Sequence, residues 1–428
     1  MLIPGGLTAA DRSPETQRGN AVLAGHLGSI DELAVSPDGT LLFSSSGKER
    51  RLWDIRTREP RWKAGGFDCT LCEPLSFPGA VFSPDSRWIA LSPGGYDIDP
   101  RSPPEEPRFF MTVELRDAPT GRVAISIPLA TDDGWALARI AFAPDSTLLA
   151  LAPATGAPPA PPEIWHLPTR ARRARLEWKP RVPDWLRFSP DGKLLIGVAS
   201  DWKRWREGDA ECYGGTGEEW AIVWDPHTGR QSATVHGGKS WRSAALSPDA
   251  KRLAASDGWS KVWLYEIPSG KLLREIKRVE RDFIGFTADG KSLVTSCYAG
   301  SSHVTVRTAD VGTGRVQETI SFKNRTKRAI KRPVVFSAAA ALMAVLEEDG
   351  NVEVFETLTG RKLATFRAVG GSPSSAAFFP DGRRLAVGQS NGVVSIWDVP
   401  HGLPSKSSPA ANGVETGIVP EGLGKGAE

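Results

Sequence analysis

The sequence predicts an all-β fold: a single closed β-propeller of eight blades, seven being the alternative, with the N-terminal strand completing the last blade. Three observations predict it. A short turn motif recurs eight times, a β-rich run follows each copy, and a leading strand has no earlier partner. Repetition at a period near 40–50 residues marks folds in which each unit is too small to bury its own faces and must stack on its neighbours.

The turn motif reads SPDG at 36–39, SPDS at 83–86, APDS at 143–146 and SPDG at 189–192. It continues as SPDA at 247–250, TADG at 287–290, SAAA at 337–340 and FPDG at 379–382. Successive copies lie 47, 60, 46, 58, 40, 50 and 42 residues apart, and the shorter spacings match a four-stranded blade. Pro37 presets φ for the first central position of a type I turn, and Asp38 suits the next. Gly39 then enters the left-handed region and closes a hairpin with a bulge. Ser86 and Ala250 in the glycine's place predict a slightly strained turn. The copy at 337–340 keeps only its serine, which makes the seventh unit the least regular.

The second signal reads RLWDIRT (51–57), VELRDAPTG (113–121), EIWHLPT (163–169), IVWDPHTG (222–229) and KVWLYEIPSG (261–270). VTVRTADVGTG (304–314), VEVFETLTG (352–360) and VSIWDVPHG (394–402) complete it. Runs such as Val262 to Tyr265 are apolar on both faces, as a strand between two neighbouring blades requires. The last unit stops after its third strand, whereas NAVLAGH at 20–26 reads as a strand without a partner. Residues near Ala21 to Ala24 therefore supply the fourth strand of the eighth blade, removing the open edge that invites aggregation.

The order Gly-His, strand, SPDG, strand, Trp-Asp, Thr-Gly resembles the WD40 repeat (WD-repeat) β-propeller family. Gly25-His26, the turn at 36–39 and Trp53-Asp54 make the first unit the clearest match, and Trp224-Asp225 and Trp397-Asp398 add two more full pairs. The resemblance spans about 20–402. It implies a buried hydrogen-bond chain joining the His, a turn Asp, a hydroxyl and the Trp. Only one unit here carries Gly-His and three carry Trp-Asp, so stability should rest more on apolar packing between blades. His236, Asp257 and Asp349 are the positions where fragments of the chain could persist. The resemblance also implies a non-catalytic scaffold with protein or peptide partners.

Composition agrees with a β-rich soluble chain. Its 428 residues include 44 Gly and 34 Pro, and 40% are hydrophobic, which supports a core with many turns. Lys plus Arg (53) nearly balances Asp plus Glu (50), so nucleic acid is not expected as a partner. No basic-then-apolar leader and no run of 18 apolar residues is present. The expectation is a cytoplasmic monomer with no membrane partner. Residues 1–19 and 403–428, rich in Gly, Pro, Ser and charge, read as disordered tails.

Insertions locate the candidate site. They are 62–79, 92–110, 153–162 and 200–220, all expected to emerge on one face from adjacent blades, where recognition usually lives. Tyr96, Trp202, Trp205, Arg206 and Tyr213 concentrate residue types typical of binding hot spots; the alternative is that these side chains only pack the loops down. Cys69 and Cys72 form a C-x2-C, with Cys212 a third and His303 a remote fourth candidate ligand. Without a second pair, ordinary reduced thiols are the reading, and no metal or other cofactor is expected. Two basic runs stand out. TRARRARLEWKPR (169–181) should form an outermost strand whose charges block sheet-to-sheet pairing, and KNRTKRAIKR (323–332) reads as a solvated link. The six histidines are scattered, and no catalytic motif is present. The alternative class is a propeller hydrolase or lactonase acting at the mouth of the central channel.

Overall fold

The computed structural model describes residues 21–400 except 48, 66–78, 99–108, 131–137, 154–160, 178–180, 208–209, 240, 242, 258–259, 280–282, 298–302, 324–333, 338–340, 348 and 369. The expected tails lie outside the described residues. Thirty-two strands form eight four-stranded antiparallel sheets. After β1 (Ala21–Leu23), blade 1 holds β2 (Glu32–Val35), β3 (Leu41–Ser45), β4 (Glu49–Asp54) and β5 (Pro60–Gly65). Blade 2 holds β6 (Ala80–Phe82), β7 (Trp88–Ile98), β8 (Phe109–Asp117) and β9 (Val123–Ala130). Blade 3 holds β10 (Ala138–Phe142), β11 (Leu148–Pro153), β12 (Glu163–His166) and β13 (Ala171–Arg175). Blade 4 holds β14 (Arg181–Phe188), β15 (Leu195–Glu207), β16 (Ala210–Trp224) and β17 (Gln231–Lys239). Blade 5 holds β18 (Ser243–Leu246), β19 (Arg252–Ser256), β20 (Lys261–Glu266) and β21 (Leu272–Lys277). Blade 6 holds β22 (Phe283–Phe286), β23 (Ser292–Cys297), β24 (His303–Asp310) and β25 (Val316–Lys323). Blade 7 holds β26 (Val334–Phe336), β27 (Leu342–Leu346), β28 (Asn351–Glu356) and β29 (Lys362–Arg367). Blade 8 holds β30 (Pro373–Phe378), β31 (Arg384–Gln389), β32 (Val394–Asp398) and, as its outer strand, β1. The ring has eight blades, and the seven-bladed alternative falls.

Both-face burial explains why the second strands read as unbroken apolar runs. In β3, Leu41 and Phe43 point into the cluster shared with blade 2, whereas Leu42 points into the cluster shared with blade 8. In β11, Leu148, Ala150 and Ala152 face blade 4, and Leu149 and Leu151 face blade 2. One such apolar cluster fills each of the eight junctions between adjacent blades. With each fully buried Leu, Ile or Phe contributing about 1.5–3 kcal/mol, these junctions dominate the stability.

Closure is as the leading segment suggested. Ala21, Val22 and Leu23 pair with Ile396, Ser395 and Val394. Three further bonds reinforce the seam: the Ile30 amide donates to the Gln389 carbonyl at 3.1 Å, and the Ser374 and Ser375 hydroxyls donate to the Ile30 carbonyl at 2.6 and 3.0 Å.

The recurring turn uses its serine as well as its glycine. The Ser36 hydroxyl donates to Asp38 Oδ1 at 2.6 Å and accepts from the Leu41 amide at 2.9 Å. Ser189, Ser247 and Thr287 repeat this arrangement. Ser337 still accepts from the Leu342 amide at 3.0 Å, so blade 7 keeps its hairpin although its Pro and Asp are gone. Where glycine is replaced, φ stays positive: 61° at Ser86, 58° at Ser146 and 57° at Ala250.

Two of these residues link blades. Ser86 Oγ accepts the Asp38 amide of blade 1 at 3.0 Å, and Ser146 Oγ accepts the Asp85 amide of blade 2 at 3.0 Å. Ser86→Ala keeps the strained φ and leaves the Asp38 amide without its acceptor, whereas Ser86→Gly loses the acceptor but relieves the backbone. We expect the alanine variant to be less stable than the glycine variant by about 1 kcal/mol in guanidinium unfolding. Equal midpoints would refute the backbone term.

Candidate functional site

Antiparallel connectivity sends the links between strands 1 and 2, and between 3 and 4, to one face of the ring. The links between strands 2 and 3, and those joining one blade to the next, open on the other. By connectivity all four insertions are links of the second kind. The described parts of two of them, 92–98 with 109–110 and 200–207 with 210–220, are strand where loop was expected. β7 and β8 pair from Trp88 with Asp117 to Leu91 with Glu114 and, after a register shift, from Gly95 with Thr112 to Ile98 with Phe109. β15 and β16 pair from Leu195 with Trp224 to Ser200 with Glu219 and, after a register shift, from Trp202 with Gly215 to Glu207 with Ala210. At about 3.3 Å per residue, the blade 4 hairpin extends roughly 20 Å beyond Ser200.

The candidate residues are placed by backbone register. Trp202 is opposite Gly215, Trp205 opposite Cys212, Arg206 opposite Glu211 and Arg204 opposite Tyr213, all on the blade 4 hairpin. Tyr96 is opposite Met111 on the blade 2 hairpin. The structure thus brings four of the five together on one hairpin and puts the fifth two blades away. Their side chains lie outside the described portion. The insertion residues 66–78 and 154–160 likewise lie outside the described residues, as do Cys69 and Cys72. Cys212 and His303 fall on blades 4 and 6. Among the described residues no group of three or more His, Cys, Asp and Glu is arranged for a metal ion.

The root of the blade 4 hairpin is anchored by aromatics. The Trp220 ring lies 4.3 Å from that of His236, whose Nε2 is 3.7 Å from Glu218 Oε2. On the neighbouring junction, buried Trp241 packs on Tyr265 with centroids 5.4 Å apart. A Cβ on Gly237 would come within 2.0 Å of the Trp241 ring, so only glycine admits that indole. Burial pushes the Tyr265 hydroxyl pKa upward.

Of the hydrogen-bond chain that the resemblance implies, blade 1 alone among the described residues keeps the His, the hydroxyl and the Trp, with Ser46 in the place of the turn Asp. Trp53 Nε1 donates to Ser44 Oγ at 2.8 Å, and His26 Nε2 is 2.7 Å from the same hydroxyl. His26 Nδ1 reaches Ser46 Oγ at 2.9 Å. Burial and the Arg51 cation lower the His26 pKa to about 4, against the smaller upward pull of Glu49. That carboxylate is held by Arg51 at 2.7 Å.

In register terms Ser44 sits two residues beyond the strand partner of the Trp, and the same position elsewhere is Leu91, Leu151, Gly197, Ala255, Val345 and Val387. Blade 6 keeps a hydroxyl, Thr295, but pairs Leu293 with Ala309 in the Trp position. Apolar contacts replace the chain: Trp397 stacks on Phe366 at 5.1 Å, and the Trp224 ring fills the space over Gly197. The contacts described for His236, Asp257 and Asp349 are of another kind. His236 stays on outer strand β17, while Asp257 and Asp349 accept amides of their own turns.

Two charged features complete the inventory. The run at 169–181 does supply an outermost strand, β13. Arg50, only 6% exposed, is buried in the junction between blades 1 and 2, where burial lowers its pKa and Glu32 and Glu114 pull the other way. Sequence reasoning missed Arg50, because a strand position beside two apolar clusters gives no local sign of a charge partner across the junction.

Eight four-stranded sheets closed into a ring define the β-propeller class. Comparison with known families matches the WD domain, G-beta repeat, at residues 19–54 and 360–398. No curated protein matches this chain. Among solved structures, the crystal structure of the computationally designed Ika8 protein is similar, with a TM-score of 0.56 and 17% identity over 89% of this chain and 100% of that one. That likeness carries the fold alone. The repeat match, the eight-bladed ring and the His26–Ser44–Trp53 chain together support a WD40-type β-propeller. The described residues contain no helix long and apolar enough to cross a membrane.

Proposed function

We propose that this WD40 propeller is a non-catalytic scaffold, a cytoplasmic monomer that captures a protein or peptide partner on its hairpin-bearing face. WD40 propellers typically serve as protein-interaction platforms, which supports the class. The observation that carries the particular reading is the blade 4 hairpin, a strand-paired extension that resumes beyond a register shift at Ser200 to Trp202 on the same two strands of the blade. A β-hairpin loses less conformational entropy on binding than a free loop of the same length, so more of each contact is retained as affinity. Trp202, Trp205, Arg206 and Tyr213 concentrate on it, with Tyr96 on its shorter blade 2 counterpart, and these residue types dominate interface energetics.

Trp202→Ala combined with Trp205→Ala is expected to reduce partner capture from native lysate by about tenfold or more, with the thermal midpoint within about 2 °C of wild type. Capture of the same partners at the same yield would refute the assignment. A parallel fall in stability and capture would show that the indoles pack the hairpin and do not meet a partner.

A further inference from the structure

We propose that the outer edge of blade 3 is a second docking site, taking an extended acidic segment of a partner protein as a fifth strand beside β13. It is independent of the hairpin-bearing face, because it runs along the rim of the ring.

The argument begins with charge bookkeeping along the outer strands. Each of the other outer strands carries at most two Lys or Arg, and several of these cations meet a nearby carboxylate. Arg61 of β5 pairs with Asp54 at 2.6 Å, Lys277 of β21 and Lys261 share Glu275, and Lys362 of β29 pairs with Glu353. β13 differs. Within six residues it and its entry carry Arg170, Arg172, Arg173 and Arg175, and among the described residues one carboxylate meets them. Glu163 Oε1 accepts from Arg172 Nη1 at 2.8 Å and from Arg175 Nε at 3.1 Å. Arg173 Nε donates instead to a neutral group, the His227 carbonyl, at 3.3 Å. Side-chain exposures of 44% for Arg172 and 61% for Arg175 leave their remaining donors in solvent.

Geometry makes this surplus directional. The register between β12 and β13 shifts between Ile164 and Trp165. That bulge puts Arg172 and Arg175 on the same side of the strand, flanking Glu163, while Arg173 leans toward blade 4. Among the described residues no strand pairs with the outward edge of β13, so its backbone can extend the ladder to an added strand, with the arginines setting which strand is accepted. Like charge excludes a second copy of β13, as edge charges generally do. A segment alternating acidic and apolar residues meets both requirements: ladder bonds along the backbone, and carboxylates opposite guanidiniums in bidentate reach. Nucleic acid would satisfy the charge but has no peptide backbone to join the ladder, and the chain as a whole is near neutral at +3.

The test is fluorescence anisotropy of the full chain with a labelled peptide alternating Glu and Val. Saturable binding that weakens with salt is expected, and the combined variant Arg172→Gln, Arg173→Gln, Arg175→Gln should weaken it by about tenfold or more. Lys277→Gln on the edge of blade 5 should leave it unchanged. The same peptide N-methylated at alternate amides should bind at least tenfold more weakly, because it cannot complete the ladder. Absence of saturable binding would overturn the proposal. So would full binding by the triple variant, whose fold is checked by its thermal midpoint. Equal binding of the N-methylated peptide, or equal competition by single-stranded RNA, would reduce the edge to a generic anion attractor and overturn the strand assignment.

Discussion

Leu23→Asp is expected to destabilise the protein by about 4 kcal/mol or more, far beyond the loss usual for one residue near a chain end. Leu23 is 1% exposed and sits in the cluster joining blades 8 and 1, with Ile30, Leu42, Trp53 and Ile396. A carboxylate there forfeits the packing and is desolvated without a partner. Its neighbour Val22 lies on the same three-residue strand but is 54% exposed, so Val22→Asp should stay within about 0.5 kcal/mol of wild type. Guanidinium unfolding of the three proteins reads the contrast. If both variants lost stability alike, charge near the terminus would be responsible and not the seam.

The second large effect is a dependence on acidity carried by His26. An unfolded imidazole titrates near 6.5, whereas burial and Arg51 bring the folded group to about 4. Between those values the unfolded chain takes up a proton that the folded chain refuses, so acid favours unfolding. The contribution of neutral His26 is complete above about pH 7. It falls by about 1.4 kcal/mol per unit as pH drops through the window from 6.5 to 4, then levels off, for a total of about 3 kcal/mol.

Turn carboxylates such as Asp38 and Asp191, held below their ordinary value by Ser36 and Ser189 among other donors, lose their own contribution in more acidic solution than His26 does. His26→Gln should flatten the pH 4–6.5 slope measured by denaturant unfolding while leaving the steeper loss at lower pH. An unchanged slope in the variant would assign the effect to other groups.

Much of the fold was legible because propeller turns are chemically local. Pro37, Asp38 and Gly39 each act on their own backbone, so their recurrence exposes the hairpins without any long-range information. Closure by Ala21 to Leu23 was legible for a different reason, since a missing fourth strand and a spare leading strand are complementary counts. The hairpin extensions were not. Gly95 and Gly214 to Gly215 break the apolar pattern, and Trp202 to Arg206 lack alternation, so 92–110 and 200–220 read as loops although strand pairing resumes at 95–98 and 202–207 beyond a register shift in each. His236 was misleading because a histidine beside glycine resembles the blade 1 motif, whereas its place is set by Trp220 across the strand pair. The interblade bonds of Ser86 and Ser146 join residues 48 and 61 apart in sequence, a separation at which no local pattern can announce a contact.

The seam between β1 and β32 also dictates the order of events in biosynthesis. Leu23 is made before every blade and has no strand partner until Val394 has been made. Seven sheets can form meanwhile, but the nascent assembly stays an open crescent with two exposed flanks. A chain terminated anywhere ahead of Val394 therefore forfeits the whole circle and not one segment of it, which makes late truncations as damaging as early ones.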